Sequence, residues 1–248
     1  MSTPSEGPGT TPPEPEPRAS DILGQALGGA ARRAGLDPNE ERPTGHVVWH
    51  AMGGWRGVAE SVLPGLVFVV TYTLTYDPAT DESNLPLSLG LSVGLALVLT
   101  VIRLVQRTPP SAALGGLIAT AAAAALALFT GRGEDNFLPG FITNAAYGTA
   151  LLVSALIGWS LIGLAAGYLM GEGTAWRRDA RKRRVFFWLT LAWSALFFTR
   201  LAVQLPLYFA GDVTTLGTLK LVMGLPLFAP LIAVTWLAAR ALYRPRPE

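Results

Sequence analysis

Two polar side chains interrupt an apolar stretch long enough to cross a bilayer: Arg200 and Gln204, inside residues 185–209. Arg200 lies about 22 Å along that helix from its basic start. A guanidinium at such depth costs about 2.5–3.5 kcal/mol on insertion scales and persists only against acceptors or water. Gln204 is one turn on and shares its face. The acceptors are expected from other spans: Asp135 or Asn144 first, then Asp77 or Tyr76. Lys220, near the start of the last span, is expected to snorkel. Arg200, Gln204, Asn144, Asp135 and Lys220 thus form a candidate intramembrane polar cluster. It is either a buried pair that fixes helix register or a site for cargo. On both readings Arg200→Leu is expected to destabilise or inactivate, by leaving acceptors unpaired.

The second chemical feature precedes this stretch directly. Residues 171–184 carry six cations, Arg177, Arg178, Arg181, Lys182, Arg183 and Arg184, next to Trp176. Beside a span, such a run is topogenic charge, and it attracts anionic headgroups at about 1 kcal/mol per cation. Trp176 and the six cations are therefore the expected anionic-lipid contacts. No nucleic acid is expected as partner, because the run is pinned to a bilayer. Its glycines make no phosphate loop, since the Gly-Lys-Ser/Thr ending is missing.

Other chemistries lack their parts. The chain has no cysteine, which excludes disulfides and thiolate sites, and only two histidines, His46 and His50. Apart from their ends, the apolar runs contain no Asp or Glu, so the carboxylate relays of proton pumps are missing. No enzyme activity, metal or cofactor is expected.

The elements that would position these groups follow from hydropathy. Half of the residues are hydrophobic, only 15% are charged, and mean hydropathy is positive. A soluble domain carries about 25% charged residues, so most of this chain uses lipid as solvent. The expected fold is all-α: a polytopic membrane bundle with spans at about 61–76, 85–105, 111–130, 138–158, 185–209 and 219–243. The apolar run from 138 to 170 exceeds one span and is expected to break near Gly158-Trp159-Ser160. The part beyond the break forms an interfacial or re-entrant helix with Gly163, Gly167 and Gly171 on one ridge. The Ala/Gly-rich third span is expected to pack closely on its neighbours. Pro226 and Pro230 are expected to kink the sixth.

Outside the bundle, residues 1–45 are rich in Pro and Glu and read as a disordered tail. Asp21 caps a candidate short helix at 21–36. Residues 46–60, with Trp49 and Trp55, read as an interfacial segment. No cleavable signal peptide is evident. Residues 244–248 form a short tail. The loops 77–84, 131–137 and 210–217 hold one cation, Arg132, whereas the opposite loops and termini hold Arg42, Arg56, Arg103, Arg107, the six of 177–184, Arg240, Arg244 and Arg246. An excess of Lys and Arg marks the cytoplasmic side. Both termini are therefore expected in the cytoplasm, in a multi-pass plasma-membrane protein.

Residues 60–65 and 135–140 share an acid followed by Leu-Pro-Gly, with Tyr72 and Tyr147 at the same offset. This is either an inverted repeat, as in several transporters, or helix-start chemistry used twice.

The blocks LPGLVFVVTYTLTYD (63–77), ALFTGRGEDNFLPGFITNAAYGTALLVS (127–154), LIGLAAGYLMGEGTAWRRD (161–179) and LTLAWSALFFTRLAVQLPLYF (189–209) resemble an uncharacterised actinobacterial membrane-protein family, a domain of unknown function. More distantly, they are similar to the intracellular septation protein A family. That resemblance implies septum formation and envelope maintenance, with no enzymatic site to carry over. The leading expectation is a non-enzymatic protein supporting the cell envelope or septation through partner proteins. The alternative is a small transporter or lipid translocase using the polar cluster around Arg200.

Overall fold

A computed structural model describes residues 54–80, 82–106 and 111–243. The tail at 1–45 with its candidate helix, residues 46–53 of the interfacial segment, and the tail at 244–248 lie outside the described residues. Within them the chain is helical, and an isolated bridge between Asp77 and Glu82 closes one turn. In order, the helices are α1 (Gly54–Leu74), α2 (Leu85–Val105), α3 (Ser111–Thr130), α4 (Leu138–Leu156), α5 (Leu161–Leu169), α6 (Ala180–Phe209), α7 (Val213–Val222) and α8 (Leu225–Tyr243). Short 3-10 turns at Gly133–Phe137 and Ala175–Arg178 precede α4 and α6.

Five segments are long and apolar enough to cross a membrane: Gly57–Leu74, Leu85–Val105, Gly133–Leu156, Ala180–Phe209 and Val213–Tyr243. Leu114–Thr130 is a shorter apolar helix. Large apolar side chains such as Val101, Ile118, Phe129, Ile142 and Leu156 point outward. An exterior of this kind suits lipid rather than water.

Consecutive helices run back and forth between two ends. One end carries the acidic turns at 77–84 and 133–137; the other carries the basic segment. Each end has its own apolar core. Phe68, Leu89, Ala127, Phe137 and Leu216 pack at the acidic-turn end. Ala166, Trp176, Phe186, Leu189 and Ala239 pack at the basic end. Between the cores the seams use small polar groups. Ser92 Oγ donates to the Pro64 carbonyl at 2.8 Å, and Ser194 Oγ to the Gly148 carbonyl at 2.8 Å. Such bonds let helices approach closely where lipid offers no hydrophobic drive for association. Gly217 is another close approach, since a Cβ there would run into Val69 of α1.

Several boundaries differ from those expected, each for a local reason. The first span begins at Gly54 rather than 61, with Pro64 inside the helix. The fifth begins at Ala180 rather than 185, because Asp179 accepts from the backbone N–H groups of Arg181 and Lys182 and caps it. Four of the six cations consequently lie on its first turns. The last span is discontinuous. Asp212 caps α7 by accepting from Thr215 N, the helix stops at Met223-Gly224, and α8 restarts with Pro226 in its first turn. The fourth run breaks at Gly158, whose φ is +76°, and Ser160 caps α5 by accepting from Gly163 N.

Two other expectations meet a different arrangement. Pro64 lies deep inside α1, whereas Pro139 occupies the first turn of α4, so the Leu-Pro-Gly pair does not mark equivalent helix positions. In α3 only Ala123, Ala124 and Ala127 are buried among residues 114–130, and the half nearer the basic end faces outward.

Candidate functional site

The polar cluster forms around α6, whose residues 200, 204 and 208 fall on one stripe because they are one turn apart. Tyr208, next to the acidic turns, donates its hydroxyl to Asp135 Oδ1 at 2.6 Å, and its ring meets Phe141 edge-on. Asp135 is held there by the 3-10 turn and is almost fully buried. Its partner is thus a phenol that sequence reasoning did not single out. A Tyr eight residues after an Arg inside a span was the available signal.

Gln204 is 2% exposed, and its side-chain N–H group points at Met223 Sδ, 3.9 Å away, at the end of α7. Asn144 is buried on the face of α4 that also carries Phe141 and Gly148. It therefore lies along the α4–α6 seam, between the Phe141–Tyr208 and Gly148–Ser194 contacts.

Arg200 sits about 12 Å below Tyr208 along the helix. Its guanidinium lies over the Phe228 ring of α8 at 5.3 Å, and Nε is buried without a hydrogen-bond partner. Lys220 reaches from α7 over the Phe137 ring at 4.9 Å. Among the described residues neither cation forms an ion pair. Asp135 and Asn144 do not serve Arg200 as the acceptors expected of them; Asp135 is taken by Tyr208. The structure thus divides the expected cluster into a polar seam, Asn144 and Gln204 with Asp135–Tyr208 at its end, and two cations that meet aromatic rings, Arg200 and Lys220.

Arg200 sits beside the gap in the last span, over Phe228, whereas Lys220 reaches from α7 toward Phe137 at the acidic-turn end. Leu221 faces Gly65 of α1, roughly 13 Å below the end of that helix by its rise. The interruption at Met223-Gly224 therefore lies deep in the bundle. There α7 ends and α8 begins, so the negative dipole end of one helix meets the positive end of the other, and the Gly224 carbonyl accepts from the N–H groups of Leu227 and Phe228. Trp193, whose Nε1–H donates to Thr235 Oγ1 at 2.9 Å, and Phe197 complete an aromatic wall against Phe228. The arrangement concentrates positive potential in a low-dielectric setting. It can hold an anion.

At the basic end the structure sorts the expected lipid contacts. Trp176 is completely enclosed, seated on Gly163 and Gly167 and edge-on to Phe186 at 5.4 Å, so it is a core residue. Gly163 and Gly167 of α5 receive this indole, Gly163 also meets Phe186 of α6, and Gly171 lies beyond the helix with open space beside it. Lys182 bonds both carboxylate oxygens of Glu172 at 2.8 Å and lies over the Tyr243 ring. Arg177 stacks on Trp159 at 3.8 Å. Arg178, Arg181, Arg183 and Arg184 are exposed.

Asp179 gives this end an acid-sensitive cap. Its carboxyl is held below the usual carboxylate range by the backbone N–H of Lys182 and then that of Arg181. A lowered folded-state pKa stabilises above the unfolded value and is lost as pH falls through the folded one. Thermal unfolding in detergent is therefore expected to show a stability step below about pH 4. Asp179→Ala should melt lower at neutral pH and lack that step. An unchanged acid step in the variant would assign it to another carboxylate.

The chain belongs to the family described as protein of unknown function (DUF3159), whose model matches residues 52–246. Nothing among curated proteins and no solved structure matches it.

Proposed function

We propose that this member of a family of unknown function is a six-span plasma-membrane protein with both termini in the cytoplasm, which binds an anionic solute or lipid headgroup at Arg200 and Lys220. Its class is the small transporter or lipid translocase, acting without covalent chemistry. The observation that carries the reading is two half-buried cations within membrane-length segments, with no counter-ion among the described residues and a helix restart beside Arg200. Uncompensated charge in a membrane interior is costly unless a ligand or water completes it. Interrupted spans with a helix N-terminus at depth are how several transporters present a site for anionic groups. Threading with the basic segment inside follows from its six cations, and α3 supplies the crossing between 105 and 133.

The test is reconstitution. Protein in zwitterionic liposomes, with a trace of fluorescent phosphatidylglycerol or with inorganic phosphate outside, should accelerate passage of one of these two probes over protein-free liposomes. An Arg200→Gln/Lys220→Gln protein should lose at least about tenfold of that rate, as expected when roughly 1.4 kcal/mol of binding is removed. A double variant that matches the wild type would end the proposal.

A second reading, support of envelope maintenance or septation through partners, is favoured by the outward half of α3, where Gly115 and Gly116 have open space beside them. Small residues allow a partner helix to approach. A photo-crosslinker at Ile118 should then capture division or wall-synthesis proteins in cells, and capture of lipid alone would dismiss it.

A further inference from the structure

At the basic end, α4, α6 and the turn between α4 and α5 enclose a cleft of about 410 Å³. Arg183 and Arg184 line it from α6, Leu156 and Phe187 give it apolar walls, and Ser160 and Trp176 close its inner side. Ser160 is committed already: its Oγ bonds the Phe186 carbonyl at 3.0 Å and Thr190 at 2.5 Å, and it accepts from Gly163 N. Trp176 turns its Nε1–H toward Gly167, where it is buried without a partner, and the charged groups that line the cleft are the two guanidiniums.

We propose that this cleft is a binding site for the phosphate headgroup of an anionic phospholipid, with Arg183 and Arg184 as its ligands. Three observations converge on that occupant. The other nearby cations of the run are occupied, Lys182 by Glu172 and Arg177 by Trp159, or lie outside the cleft, as do Arg178 and Arg181. Charge in the cleft is wholly positive. Its walls continue onto outward-facing apolar side chains, Leu156 at 69%, Ile157 at 64% and Trp188 at 61% exposure, which suit the glycerol and first methylenes of an acyl chain. A guanidinium pair recognises phosphate oxygens by paired hydrogen bonds, and the indole beside it suits the headgroup zone. The site is separate from Arg200 and Lys220 and does not depend on the role given to them.

The test compares two double variants of equal charge loss, Arg183→Gln/Arg184→Gln and Arg178→Gln/Arg181→Gln, in detergent micelles doped with phosphatidylglycerol or phosphatidylcholine. Native mass spectrometry reads bound lipid. Wild type and the 178/181 variant should retain phosphatidylglycerol, while the 183/184 variant should bind it roughly tenfold more weakly, because only there are paired guanidinium–phosphate hydrogen bonds lost. An Arg183→Lys/Arg184→Lys protein, which keeps charge but not paired bonding, should fall between and control for folding. Equal loss in both Gln variants would reduce the effect to diffuse surface charge and overturn the proposal. Displacement of the lipid by millimolar inorganic phosphate, with the same 183/184 dependence, would overturn the lipid as the preferred source of the phosphate group.

Discussion

Trp176→Ala is expected to cost about 3–5 kcal/mol, the range for deleting a large buried aromatic. The indole has no exposed surface. Its six-membered edge lies against Gly163 and its pyrrole edge against Gly167, so tightly that a Cβ at either glycine would overlap it. Phe186 meets it edge-on, and the surrounding cluster joins α5, α6 and α8. Removing the ring opens a cavity among backbones that cannot close it, because Gly167 and Gly173 are already in contact through the Gly173 carbonyl. The companion change Trp188→Ala, at a side chain 61% exposed, is expected to stay within about 0.5 kcal/mol. Thermal unfolding of both variants in the same detergent checks the pair. Similar melting points would show that Trp176 is not the keystone of the basic-end core.

Arg200→Leu is expected to raise the melting point of the ligand-free protein while abolishing anion-dependent flux. On stability this is the reverse of the sequence-based expectation, in which leucine strands the acceptors of an intramembrane guanidinium; loss of activity is common to both. The structure gives Arg200 the face of Phe228 and no acceptor among the described residues. Lys220 shares its half of the bundle without an intervening carboxylate. Leucine removes an uncompensated charge, worth about 2.5–3.5 kcal/mol at helix centre on insertion scales, and forfeits a cation–π contact worth about 0.5–2 kcal/mol. The net sign is stabilising. Stability gained at the expense of function is the signature of a binding site kept under strain. A clear fall in melting point would instead make Arg200 a structural residue and remove the anion site. Lys220→Leu should behave in the same way. The two together should add less than the sum of the singles, because mutual repulsion is relieved once.

The bundle was legible in the sequence wherever one segment alone decides. Hydropathy marked each membrane-length run because every helix in lipid must satisfy its own backbone. Gly158 announced the break after α4, since only glycine takes its φ of +76° without strain. The start of α6 was less legible: a basic stretch reads as loop, yet Asp179 caps it and extends the helix back to Ala180. At the cluster, burial of Asp135, Asn144 and Gln204 was foreseeable from polar residues in or beside apolar helices. Their partners were not, because partners belong to other helices.

The amino-acid sequence by itself determined that this chain is helical and suited to a membrane, and where its cations concentrate. Those properties are sums over single segments and need no knowledge of neighbours. Which charges are spent and which are free depends on the packing of the helices. It placed Tyr208 on Asp135, Glu172 on Lys182 and Trp159 under Arg177, and left Arg200 and Lys220 on aromatic rings without a counter-ion among the described residues. It also turned Trp176 inward and set the gap of the last span beside Arg200. Each of these depends on which helix faces meet, and that is settled by packing across the bundle rather than by any stretch of residues.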